Sequence, residues 1–168
     1  MLLNKEQVKL INERKVTHIK NFVLLERNYD FNLMSTLLEE NAMNVMIKSN
    51  TGHLNSIYQI KGATNVLKEF RTFFDFLLKM FKFKSDSRDG VDLFFSLVTQ
   101  TGVPHEDVEH VFIIGLKGKT IYRIYDKNNV DYEINKGDMI FIPRKIKHKV
   151  IGLNPRIIAS IGFYDREA

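Results

Sequence analysis

The chain has 168 residues, 44% of them hydrophobic and 27% charged, with a net charge of +5 at neutral pH; that suffices for one domain with its own core and excludes a disordered chain. Cysteine is absent, which excludes disulfides, thiolate metal sites and a cysteine nucleophile and leaves His and carboxylates to hold any metal, a donor set that favours iron, manganese or another first-row ion. The basic residues are scattered apart from the runs 79–84 and 144–149, which argues against nucleic acid as the partner; no apolar run approaches the ~20 residues of a membrane span and the first residues lack the order of a signal peptide, so a soluble cytoplasmic protein is the expectation.

Asn4 and Gln7 have the spacing of a capping box ahead of Val8 and Ile11, which predicts a surface helix over 5–15. Residues 16–23 alternate and are rich in branched side chains, as in a strand with one buried face, on which His18 reads as a solvated edge histidine. Asp30 can cap a second helix that puts Leu33, Met34, Leu37 and Leu38 on one side. A strand at 44–48 and a loop at 49–53 follow. The clearest helix starts near Thr64, where Val66, Leu67, Phe70, Phe73, Phe74, Leu77, Leu78 and Phe81 keep the i, i+3/i+4 rhythm of a helix packed on a sheet.

The polar stretch 84–90 is the one internal break, so the chain reads as a single domain: an α-rich part, 1–88, packed on an all-β part, 89–168. In the second part, short strand-like runs at 92–98, 109–116, 119–125, 130–134, 139–142 and 156–163 are separated by turn signals such as Lys117-Gly118 and Lys136-Gly137-Asp138. Many short strands with regular turns predict a barrel or double-sheet jelly roll, giving a mainly β fold with N-terminal helices.

Within that half stands His105-Glu106-Asp107, followed about forty residues later by His148. In an extended chain residues i and i+2 face the same way, so His105 and Asp107 can point into a barrel together while Glu106 points out. Gly137-Asp138 and Pro143 supply a tight turn, a short strand and a rigid exit that carry His148 to the same interior. Two histidines and one carboxylate form a facial triad, which holds a metal on one side and leaves the other positions open. Each residue alone has a plainer explanation, as a loop His, a turn cap and a surface His; the combined spacing is what carries the signal. By strand parity Glu109 is the substitute ligand and His110 packs on the opposite side.

At these residues the sequence resembles the JmjC-type branch of the cupin superfamily, most of whose members are iron(II) and 2-oxoglutarate dependent hydroxylases or demethylases. Pro104-His105-Glu106-Asp107 with Val111-Phe112-Ile113-Ile114, the hairpin Gly118-Lys119-Thr120-Ile121-Tyr122-Arg123, and the closing span from Gly137-Asp138 through Pro143 to His148 are similar to the ribosomal-oxygenase group in particular. The resemblance covers roughly the second half of the chain. It implies a cupin double-stranded β-helix, His105, Asp107 and His148 as Fe(II) ligands and catalytic centre, and 2-oxoglutarate as cosubstrate. The family commonly places a Lys two residues after the hairpin Gly to pair with the distal carboxylate of 2-oxoglutarate; here Thr120 stands there. A hydroxyl donates a hydrogen bond but does not neutralise a carboxylate. Thr120 and Tyr122, which share parity, are the expected cosubstrate donors, and Lys117, Arg123 or Arg156 the sources of the missing charge.

The resulting expectation is an oxygenase acting on a small molecule or peptide, with the substrate entering near 102–104 and 144–147 and with the N-terminal helices available to pair two copies. A metal-dependent cupin enzyme that does without 2-oxoglutarate, whether dioxygenase or isomerase, and a non-enzymatic ligand-binding cupin are the alternatives.

Overall fold

The computed structural model describes residues 3–22, 27–40, 45–49, 56–63, 67–84, 90–97 and 100–166. Among the described residues three helices, α1 (Lys5–Asn12), α2 (Phe31–Glu40) and α3 (Lys68–Met80), accompany twelve strands: β1 (Thr17–Ile19), β2 (Val45–Ser49), β3 (Ser56–Ile60), β4 (Phe83–Lys84), β5 (Asp92–Ser96), β6 (Gln100–Thr101), β7 (His110–Lys117), β8 (Thr120–Ile124), β9 (Val130–Ile134), β10 (Met139–Ile142), β11 (His148–Gly152) and β12 (Arg156–Asp165). The pairings among these described strands are antiparallel, in two sheets. The larger runs β1-β10-β7-β12-β5-β3-β2, with β4 also on β12, and the smaller runs β6-β11-β8-β9. This is the expected jelly-roll barrel with N-terminal helices, and strands on both sides of the 84–90 break share the larger sheet.

Both faces of β7 are buried, which explains why it reads as an unbroken apolar run. Along it Val111 and Ile113 turn inward to meet Tyr122, Ile124, Ile134, Ile140 and Ile158 between the sheets. Phe112, Ile114 and Leu116 turn outward, with Phe141 and Phe163, onto the helices. Opposite them α3 presents Phe70, Phe73, Phe74 and Leu77, its expected stripe; Thr64 and Val66 lie outside the described residues. Phe83 is fully buried at the centre of this layer, with ring centroids 5.4 Å from Phe163, 6.1 Å from Phe112 and 6.3 Å from Phe141.

Several local expectations change. The Asn4–Gln7 capping box forms, but α1 stops at Asn12 because Arg14 adopts φ +56° and sends its guanidinium to Asp165. Asp30 caps α2 by accepting from the Leu33 N–H at 2.9 Å. The strand expected over 16–23 is shortened to β1, since Asn21 turns the chain at φ +51° and donates its N–H to the Asp138 carboxylate at 2.9 Å; Val23 lies outside the described residues. His18 does sit on an edge strand, yet it is largely withdrawn from solvent: its side chain is 14% exposed, edge-on to Tyr132 and 3.9 Å from Asp138. Strands β3, β4, β6 and β11 were not expected. The strand at 44–48 corresponds to β2, with Asn44 outside the described residues, as is most of the 49–53 loop.

Candidate metal centre

The three expected ligands converge, by a local route different from the one their spacing suggests. His105 and Asp107 do not share a regular strand; they lie in the connection between β6 and β7, where His105 makes an isolated antiparallel bridge to His148, the first residue of β11. The two residues exchange both backbone hydrogen bonds, His105 N–H to His148 O at 2.9 Å and His148 N–H to His105 O at 2.8 Å. A bend at Val108–Glu109 then resets the chain before β7 begins. Parity counted through that bend therefore fails for Glu109, whose carboxylate packs against Gly162 and is not in the cluster.

One donor atom from each of His105, Asp107 and His148 lies within 4.8 Å of the others. His105 Nε2 is 3.8 Å from Asp107 Oδ1 and His148 Nε2 is 3.5 Å from Asp107 Oδ2. These gaps exceed hydrogen bonds and approach the roughly 3 Å that separates adjacent donors around one ion with bonds of about 2.1 Å. Both rings are oriented by the same device. His105 Nδ1 bonds the Val103 carbonyl and His148 Nδ1 bonds the Ile146 carbonyl, each at 2.9 Å, so each Nδ1 carries the proton and each Nε2 presents a lone pair to the centre. Burial holds the His148 imidazole below its ordinary pKa, more than the Ile146 carbonyl and the Asp107 charge raise it, and so keeps it in the neutral form that binds metal. The residues present thus fit a divalent ion held by two nitrogens and one oxygen.

The cluster opens on a cavity of about 270 Å³ whose walls include Phe94, Ile113, Tyr122, Arg156 and Ile158. Arg156 is only 5% exposed, and burial lowers its pKa. Its guanidinium lies where a side chain at Gly152 would project. Gly152 pairs with Thr120 across β11 and β8, so Thr120, itself buried, faces the same side of the smaller sheet, but it does not line the cavity. Tyr122, two residues on, is buried in the cavity wall, and its hydroxyl is held protonated by desolvation.

The other two candidate cations are elsewhere. Arg123 points outward and grips Asp131 with two hydrogen bonds of 2.7 and 2.8 Å. Lys117 does not line the cavity; its ammonium lies 5.6 Å from the centre of the Phe31 ring, on the helix side. The cause is an irregularity in β7: its pairing with β12 shifts between Ile157 and Ile158, so that Leu116 is skipped and Lys117 faces Ile157 on the outer surface of the sheet. Ser160 and Ile158, which also line the cavity, drew no attention in the sequence, where the run around them reads only as a buried strand.

No protein-family model matches the sequence, and no curated protein sequence matches it. Solved structures do. The structure is similar to that of YcfD, a ribosomal oxygenase from Escherichia coli, in complex with cobalt and succinic acid, with a TM-score of 0.73 at 17% identity, covering 100% of this chain and 53% of that one. The same enzyme with cobalt and 2-oxoglutarate gives a TM-score of 0.72 at 18% identity. The chain shares the fold of these structures. SnoK, a non-haem α-ketoglutarate-dependent carbocyclase from nogalamycin biosynthesis, is similar at a TM-score of 0.72 and 14% identity, over 97% of this chain and 84% of that one. The chain spans about half the length of YcfD. Among the described residues no helix is long and apolar enough to cross a membrane.

Proposed function

We propose that the protein is a non-haem Fe(II) and 2-oxoglutarate dependent oxygenase acting on a small molecule or peptide. The observation that carries this reading is a His-Asp-His cluster and a buried arginine facing one cavity. Two nitrogens and one carboxylate are the donor set of a facial triad, and a bound Fe(II) would supply activation of oxygen at the positions the triad leaves open. That the similar structures contain cobalt with 2-oxoglutarate or succinate, in a fold this chain shares, supports the same reading.

The chain's own residues would divide the work. His105, Asp107 and His148 hold the ion, with the two Nδ1–H bonds fixing ring orientation. Arg156 gives the distal carboxylate of 2-oxoglutarate a charged partner, replacing the Lys that position 120 lacks, and Tyr122 adds a hydroxyl donor from the cavity wall, with Thr120 behind it on the same inward face of β8. Lys117 has no part in this arrangement, given its place over Phe31. Phe94, Ile113 and Ile158 keep water from the reacting centre.

The test is anaerobic addition of Fe(II) and then 2-oxoglutarate to the purified protein. A visible charge-transfer band is expected, absent from His148→Ala, together with slow succinate formation once oxygen is admitted. Metal binding without that band and without succinate would transfer the site to a cupin enzyme that does not use 2-oxoglutarate.

A further inference from the structure

His110 sits outside the triad and outside the cavity, yet its bonds run to the turn that supports two of the three ligands. It opens β7 with 2% of its surface exposed, its ring centroid 5.4 Å from that of Phe83 and 5.9 Å from that of Phe141. Its Nδ1 accepts the Arg144 N–H at 3.2 Å. The ring proton therefore resides on Nε2, which donates to Asp165 Oδ2 at 2.9 Å. Asp165 is fixed in turn by Arg14, with the Arg144 guanidinium 3.7 Å away.

Arg144 begins the short turn between β10 and β11. The next residue, Lys145, takes φ +62° and donates its N–H to the Asp107 carbonyl at 2.9 Å. The carbonyl of Ile146 holds the Nδ1–H of His148. One turn thus donates a bond to His110, donates another to Asp107 and accepts one from His148. A left-handed residue such as Lys145 is strained and stays in place only when its neighbours fix it.

We propose that His110 is a positioning residue for the metal centre: its Nδ1 anchors the Arg144–Ile146 turn and thereby sets the placement of Asp107 and the ring angle of His148. The proposal rests on the triad reading above. It separates from a packing role through substitutions that keep or remove single atoms. His110→Phe keeps the ring stack and loses both hydrogen bonds. His110→Asn offers an amide oxygen near the position of Nδ1, whereas His110→Gln reaches the position of Nε2.

The experiment uses Co(II) as the probe, reading its dissociation constant and its visible d–d spectrum for the full chain, with the unfolding midpoint measured alongside. His110→Phe is expected to weaken Co(II) binding about 10- to 100-fold and to alter the spectrum, as loss of a group that orients a ligand does. His110→Asn should restore most of the affinity and the native spectrum, and His110→Gln should not. Wild-type affinity and spectrum in His110→Phe, or equal behaviour of the Asn and Gln variants, would overturn the proposal. Should His110→Phe fail to fold, the Asn and Gln pair still decides. Failure of the wild type to bind Co(II) at all would overturn the triad itself and His110's role with it, an outcome distinct from the others.

Discussion

The guanidinium of Arg156 occupies the space that a side chain at Gly152 would need, on the inward face of the smaller sheet. Glycine there is a matter of room. Gly152→Ala would push the guanidinium out of its bed, and Arg156→Gln would remove its charge while keeping a donor. Both are expected to weaken 2-oxoglutarate binding about 10- to 100-fold, the scale of one lost charged hydrogen bond. Metal affinity should stay near wild type in both, so calorimetric titration with Mn(II) and then with 2-oxoglutarate checks the separation.

Metal addition should stabilise the chain by mass action, since the donors are gathered only in the folded state. At a free metal concentration a hundred times the dissociation constant the gain is about 2.7 kcal/mol. A rise in melting temperature with Mn(II) is expected, reversed by a chelator. Asp107→Ala removes the one anionic donor and should abolish the rise while leaving the metal-free melting temperature within a few degrees.

Phe83 touches the rings of Phe81, Phe112, Phe141 and Phe163 and joins β4 to the outer face of the larger sheet. Truncating it opens a cavity among groups that cannot collapse onto one another. Phe83→Ala should cost about 3 to 5 kcal/mol, read as a lower urea midpoint, and Phe83→Leu less than half of that.

Stability should fall on mild acidification. His18, His110 and His148 all have pKa values lowered in the folded state, chiefly by burial. The unfolded chain then binds more protons than the folded one below about pH 6.5, so their contribution is full above that pH and is lost as pH falls through the folded-state values. Urea midpoints of the metal-free protein at pH 8, 7, 6 and 5 should be level over the first two and drop over the last two. Replacing His110 by Phe should flatten the drop.

The parts of the molecule legible in the sequence are those where one local pattern decides the structure. The period of α3 survives because four of its apolar side chains enter a single core, and β9 and β10 keep their expected bounds because turn residues flank them on both sides. β11 was hidden because only Val150 and Ile151 are apolar amid lysines, and what makes it a strand is its pairing with β8. The triad was legible as composition and spacing, but its geometry comes from a bridge between distant residues. Lys117 illustrates the limit: one skipped residue in β7 turns its side chain to the other face of the sheet, and such a bulge has no signature in a run of apolar residues.

The reciprocal backbone pairing of His105 with His148 bears on how a metal would distinguish folded from unfolded chain. Two ligands about forty residues apart must otherwise be brought together by the ion itself, at a loop-closure cost of about 4 kcal/mol. Here the sheet has already closed that loop. This contribution alone corresponds to roughly a thousandfold difference in affinity, so in a chain without cysteine, metal capture becomes a reporter of barrel closure.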